Sequence, residues 1–203
     1  MILEAHNLCK SFGDHPVLRG LSFTADSGEV VGILGANGAG KTTLLRIVNR
    51  ILEADSGSLL FDGHPMTRDD LHAVGYLPEE RGLYRRMRVG EQVLYLARLK
   101  GMSRADALAE AHAWFDRLGA ADWWNRPANR LSKGMQQKVQ FITAVVHRPR
   151  LLVLDEPFSG FDDDNAAMLR REIERLSHDG TAILLSTHNA EAARDLCHKT
   201  LQL

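Results

Sequence analysis

The chain has 203 residues, with 25 Lys and Arg against 26 Asp and Glu and a formal net charge of −1. That balance leaves no bulk cationic field for phosphate contacts, and it excludes a protein whose main work is coating nucleic acid. Hydrophobic residues at 44% and charged residues at 25% exclude disorder, in a length that buries a core without covalent staples. Cys9 and Cys197 form no CxxC pair, so neither a disulfide framework nor a zinc site is expected, and both read as buried apolar thiols in a reducing cytosol. No run approaches the roughly 18 apolar residues of a membrane helix. Met1 to His6 lacks the basic head and apolar run of a signal peptide. The expectation is a cytoplasmic protein that reaches a membrane only through a partner.

In chain order, β-rich runs come first, over residues 2–8, 17–23 and 30–34. The last is continuous and apolar between Gly28 and Gly35, as in a strand buried on both faces. A helix is predicted over 41–49, then a strand over 58–61 closed by the turn pair Asp62-Gly63, then a short strand at 74–76. From Gly90 to His147 the pattern turns helical. Ser103 and Asp106 form a capping box, Leu108, Ala111, Phe115 and Leu118 recur at helical spacing, and Gly119 is the stop. The strand 151–154, a helix over 164–176 stopped by Gly180, and the strand 181–185 follow. Strands alternating with helices predict a mostly parallel, doubly wound α/β sheet with a helical block inserted between its halves.

Residues 35–42, GANGAGKT, fit G-x-x-x-x-G-K-[ST] between a buried strand and a helix. Glycines let successive N–H groups of Gly35, Ala36, Asn37, Gly38, Ala39 and Gly40 turn toward phosphate oxygens. Lys41 would reach the β- and γ-phosphates, the Thr42 hydroxyl would ligate Mg²⁺, and Thr43 belongs to the same ATP-binding set. The run Leu151 to Leu154 ends in Asp155-Glu156, which puts carboxylates at the tip of a core strand beside that loop. Asp155 suits holding Mg²⁺ through water, and Glu156 suits polarising an attacking water as general base.

With those residues in place, Leu131-Ser132-Lys133-Gly134-Met135-Gln136-Gln137 resembles the signature of ATP-binding cassette (ABC) ATPases. The other marks of that family follow in order: Phe12 before the phosphate loop, Ser159-Gly160-Phe161-Asp162 after the paired acids, and Ser186-Thr187-His188. The resemblance covers nearly the whole chain. It implies a P-loop NTPase fold, a RecA-like parallel sheet core with N-terminal antiparallel β strands and an inserted α-helical subdomain. Residues 1–203 then form one ABC ATPase domain, with about 1–85 and 148–203 as catalytic core and about 86–147 as helical signature subdomain. It further implies a head-to-tail dimer, homo- or heterodimeric, that sandwiches two ATP molecules on a separate transmembrane permease subunit. No nucleic-acid partner is expected, and the place of work is the inner face of the cell membrane. In that scheme Ser132, Lys133, Gly134 and Met135 address the ATP of the opposite subunit, while Ser159 and Asp162 serve the dimer contact. Phe12 stacks on adenine, its alternative being a core aromatic near the sheet edge. His188 steadies the γ-phosphate charge. The other eight histidines read as surface or satisfied core residues.

The sequence departs from the family pattern in three places. Glu79 stands where glutamine is usual; a carboxylate still ligates Mg²⁺ or orients water in catalysis but adds negative charge near the γ-phosphate. Lys133 and Met135 replace the usual glycine and glutamine of the signature. The chain ends at Leu203, soon after His188, where many relatives continue, so a minimal core without a regulatory domain is expected. The segment GYLPEERGLY over 75–84, with LSKGMQQKVQ, resembles bacterial ABC ATPases of sodium-efflux and drug-export type. Arg81, Arg85, Arg86 and Arg88 read either as a solvated basic loop or as a docking surface for an acidic cytoplasmic helix of the permease. Trp123-Trp124 reads either as exposed on that face or as buried in the helical block. Two competing functions stay open: a weakly hydrolytic cassette acting as an ATP switch, and a soluble non-transport ABC ATPase.

Overall fold

The structure is a computed structural model and describes residues 1–80, 82–189 and 193–203. Arg81 of the basic loop lies outside the described residues. An antiparallel sheet is built from β1 (Leu3–Phe12), β2 (His15–Ala25), β4 (Ser56–Phe61) and β5 (His64–Pro65) in the order β2-β1-β4-β5. A parallel sheet is built from β3 (Val30–Leu34), β6 (Val74–Leu77), β7 (Leu151–Asp155), β8 (Ala182–Thr187) and β9 (Lys199–Gln202) in the order β6-β7-β8-β3-β9. The helices are α1 (Lys41–Val48), α2 (Val89–Leu99), α3 (Arg104–Arg117), α4 (Lys133–Val145) and α5 (Asp163–His178). Three of them, α2 to α4, come consecutively between β6 and β7.

The period of two along each strand of the parallel sheet assigns its residues to two cores. Val31, Ile33, Leu151, Val153, Ala182 and Leu184 pack with Leu44, Leu45 and Val48 of α1 and with Leu3 and Leu8 of β1. Val30, Leu152, Leu154, Ile183 and Leu185 pack on the opposite face with α5 and the helical block, through Phe115, Val139, Phe141 and Ile173. A sheet covered on both faces holds its strand tips in place, and those tips carry the chemistry.

Several expectations need correction in detail. Leu108 is exposed, and the buried face of α3 runs instead through Ala107, Ala111, Trp114 and Phe115, continued by Leu118. The first two strands extend well beyond 2–8 and 17–23 because they pair with each other up to the turn, where Phe12 faces His15. The strand β9 has no apolar run to announce it; it forms because Val31 to Leu34 offer a free parallel edge to Lys199 to Gln202. Trp124 is half-buried, stacked on His112 at a centroid separation of 4.1 Å and edge-on to Phe115 at 5.1 Å. Trp123 also packs on the helical core. The cysteines are free and half-buried rather than buried, and burial pushes the Cys197 thiol up to about 11. Among the histidines, His147 is not fully satisfied: its Nε2 lies 3.1 Å from the Val74 carbonyl oxygen, while Nδ1 is buried with no hydrogen-bond partner among the described residues.

Candidate active site

The loop between β3 and α1 closes because Gly40 takes φ = 105°, in the left-handed region, and because a Cβ there would stand 2.6 Å from Val17 Cγ1. No side chain caps α1, and no acidic residue sits in its first turn. Its leading N–H groups therefore face outward as an anion-binding helix end. Lys41 is buried, with Nζ donating to the Gly35 and Ala36 carbonyl oxygens at 2.9 and 3.2 Å.

Opposite stands the tip of β7, set in parallel register so that Asp155 faces Ser186 of β8. The Ser186 hydroxyl donates to Asp155 Oδ1 at 2.5 Å and accepts from the Glu156 N–H at 3.0 Å. Sequence reasoning missed this role of Ser186; the strand pairing of residues 151–155 with 182–186 was the available signal. Glu156 has φ = 47°, a left-handed conformation unusual for a side-chain-bearing residue and costly by about 1 kcal/mol or more. That kink aims its carboxylate at the loop. Glu156 Oε1 lies 3.5 Å from Lys41 Nζ, and Oε2 accepts from His188 Nδ1 at 3.0 Å.

Lys41, Glu156 and His188 line a cleft of about 470 Å³ together with Phe12, Val17, Asn37, Gly38, Gly40, Thr42, Thr43, Glu79 and Ser159, while Asp155 and Ser186 are buried behind its wall. Phe12 is 52% exposed at the tip of the β1–β2 hairpin, so it is not a core aromatic. Ser132 lies away from this cleft, where its hydroxyl caps α4 by accepting from the Met135 N–H at 3.3 Å. Lys133, Gly134 and Met135 form the first turn of that helix. Asp162 caps α5 by accepting from the Asn165 N–H at 2.9 Å. The cleft thus brings Phe12, Lys41, Thr42, Thr43, Glu79, Glu156 and His188 together, with Ser159 on the same wall; Gly35, Ala36, Ala39 and Asp155 do not line it, and neither do Ser132, Lys133, Gly134 and Met135.

The donor set suits a small hard cation. Asp155 Oδ2 and Glu156 Oε1 are buried carboxylate oxygens with no hydrogen-bond partner among the described residues. Tyr76, whose hydroxyl is pushed up to about 12 by burial and then by the Asp155 charge, offers no neutralisation. No group of three or more His, Cys, Asp or Glu side chains among the described residues could hold a metal by itself. A divalent ion here would therefore depend on the Thr42 hydroxyl, phosphate oxygens and water beside Asp155 and Glu79, the sparse protein ligation typical of Mg²⁺.

The model of the ABC transporter family matches residues 18–159, more than half of the chain. The chain belongs to this family. It is 44% identical over 196 residues to the uncharacterized ABC transporter ATP-binding protein YhaQ of Bacillus subtilis, covering 97% of this chain and 66% of YhaQ. A second uncharacterized ABC transporter ATP-binding protein, from Alkalihalophilus pseudofirmus, is 45% identical over 165 residues, or 81% of this chain and 62% of that protein. The chain therefore spans less than two thirds of the length of these relatives. A solved ATP-binding subunit of an ABC transporter superposes on all of this chain and 86% of its own, with a TM-score of 0.93 and 28% identity. No helix among the described residues is long and apolar enough to cross a membrane.

Proposed function

We propose that this chain is the ATP-hydrolysing subunit of an exporter, working on the inner face of the membrane as half of a head-to-tail dimer bound to a separate permease. The observation that carries the hydrolytic part is the Glu156 carboxylate, buried and kinked between Lys41 and His188 on the wall of the phosphate-binding cleft. Phe12 stacks on the base, the loop 35–40 and the first turn of α1 cradle the phosphates, and Lys41 exchanges its two carbonyl partners for β- and γ-phosphate oxygens. Thr42, Asp155 and Glu79 would hold Mg²⁺, which would supply positive charge against the phosphates.

Glu156 takes a proton from the attacking water as that oxygen bonds to the γ-phosphorus and the bridging oxygen leaves with ADP. His188 releases Glu156 and turns its N–H to the γ-phosphate, where charge builds. Ser132 and the Gly134 N–H of the opposite copy, at the N-terminus of α4, close over the same γ-phosphate. Ser159 and Asp162 lie at the seam between copies. Closure moves the helical block, about 86–147, against the core of about 1–85 and 148–203, and the permease reads that motion. Export follows the resemblance of residues 75–84 to exporter cassettes.

The test is the solution mass of Glu156→Gln with and without Mg-ATP. Blocking the base is expected to trap the closed pair and double the mass only when Mg-ATP is present. A variant that binds ATP yet stays monomeric means the permease or a different cassette is needed to build the composite sites. Absence of ATP binding overturns the reading. Glu79 favours a second reading, a slowly hydrolysing ATP switch, and single-turnover kinetics of the wild-type chain separate the two.

A further inference from the structure

We propose that Asp55 and Lys10 are a positioning pair that sets the Phe12 ring for the base of the nucleotide. Phe12 is the last residue of β1, next to the turn at Gly13-Asp14. Pairing of β1 with β4 ends at Cys9 opposite Ser56, and the ladder with β2 slips register between Lys10 and Ser11. Beyond Lys10 the tip is held by β2 alone, through Ser11 opposite Pro16, which has no N–H to donate, and Phe12 opposite His15. Asp55 supplies the missing grip on three consecutive residues. Its N–H donates to the Cys9 carbonyl oxygen at 2.9 Å, its Oδ2 accepts from the Ser11 N–H at 2.7 Å, and its Oδ1 accepts from Lys10 Nζ at 2.7 Å.

The third contact reaches the ring. Across that register slip the Lys10 side chain comes up to the Phe12 ring. The ammonium held by Asp55 lies 5.7 Å from the ring centroid, within cation–π range. Lys10 is not among the residues lining the cleft, so the ring is left to meet the base. The cation draws electron density toward itself and makes the ring a better partner for an electron-rich purine. The lowered pKa of Asp55, caused first by the Lys10 hydrogen bond and then by the Ser11 N–H, keeps it a carboxylate. Residues 49–55 also run directly from the C-terminal end of α1 to β4, so the segment that leaves the phosphate-binding helix delivers Asp55 to the base platform. Base and phosphate ends of the nucleotide are thereby tied together by a few residues of chain.

The inference rests on Phe12 meeting the base, and the experiment separates the two claims. Calorimetric affinities for ATP and for inorganic tripolyphosphate are measured on the full chain as wild type, Phe12→Ala, Asp55→Asn, Lys10→Met, Lys10→Arg and the Phe12→Ala/Asp55→Asn double variant. Asp55→Asn and Lys10→Met are expected to weaken ATP about three- to tenfold while leaving tripolyphosphate within about twofold, with Lys10→Arg close to wild type. In the Phe12→Ala background, Asp55→Asn is expected to add nothing. Equal weakening of both ligands, an additive double variant, or no effect of Asp55→Asn beside a clear Phe12→Ala loss overturns the positioning role alone. An unchanged ATP affinity in Phe12→Ala overturns the base platform and the pair with it.

Discussion

Glu156 and Glu79 are carboxylates of one cleft held in opposite ways. Glu156 is buried, kinked and bonded to His188, so its position is set before any nucleotide arrives. Glu79 is exposed where the chain leaves β6, and neutral glutamine is the family's usual choice there. Without a divalent cation, a carboxylate at that wall repels the triphosphate; with one, it adds a ligand. Glu79→Gln is expected to raise ATP affinity in EDTA several-fold and to narrow the difference between EDTA and Mg²⁺, as read by equilibrium binding. An unchanged ratio would show that Glu79 does not face the phosphates. A second residue carries a pH signature. Burial, reinforced by the nearby Lys100 charge and by His72, pushes His147 down to about 4, against 6.5 for the free side chain. The unfolded chain therefore binds the extra proton between these values, and the stability present above pH 6.5 is lost as pH falls toward 4. Full loss amounts to roughly 3 kcal/mol. His147→Leu is expected to flatten the urea midpoint between pH 7 and 5, where the wild-type midpoint falls.

The elements legible in the sequence were those whose burial left a pattern. The strands β3 and β7 are buried on both faces and read as apolar runs, and the capping box at Ser103 is a local hydrogen bond, 3.1 Å from the Asp106 N–H. The places of residues 35–40 between β3 and α1 and of Asp155-Glu156 at the end of β7 were legible too, because glycine-rich turns and paired acids break an apolar run at a strand tip. What escaped depends on partners distant in sequence: the polar edge strand β9, the grip of Ser186 on Asp155 and Glu156, and the exposed side of Leu108. Backbone-to-backbone packing escaped too. A Cβ on Gly75 of β6 would stand 2.1 Å from the Ala144 carbonyl oxygen, so α4 rests directly on the strand that leads to Glu79. Gly75→Ala must push the helix off the sheet, since no flexible side chain can yield. A loss of at least about 2 kcal/mol is expected in denaturant unfolding, with ATP-dependent dimerisation reduced in the fraction that folds. A variant as stable as wild type would mean that the helical block shifts on the core at no cost.

At the scale of the whole molecule, the proposed function assigns ATP to the cleft and leaves the helical block as the surface to meet a permease. Its exposed residues are unevenly distributed. Arg85, Arg86 and Arg88 stand exposed at the entry to α2, Tyr84 is 55% exposed, and Tyr95 and Leu99 of α2 are 46% and 56% exposed beside Arg98 and Arg104. Of the three basic residues at the entry, Arg88 has Glu91 at 4.0 Å, whereas Arg85 and Arg86 have no acidic partner within ion-pair range among the described residues. A solvated loop has no need of aromatic and aliphatic surface next to its charges; an amphipathic helix with acidic residues uses both. Long-range attraction of this kind sets association more than it sets ATP chemistry, and salt screens it. The double charge reversal Arg85→Glu/Arg86→Glu is therefore expected to lower co-sedimentation with inside-out membrane vesicles from the native cell several-fold at physiological salt. The wild-type interaction should weaken as salt is raised, and ATP affinity should stay the same in both proteins. Unchanged sedimentation would leave the basic loop to the solvent and move the permease contact to the apolar side of α2. Parallel loss of ATP affinity would place the two arginines in the nucleotide cleft instead.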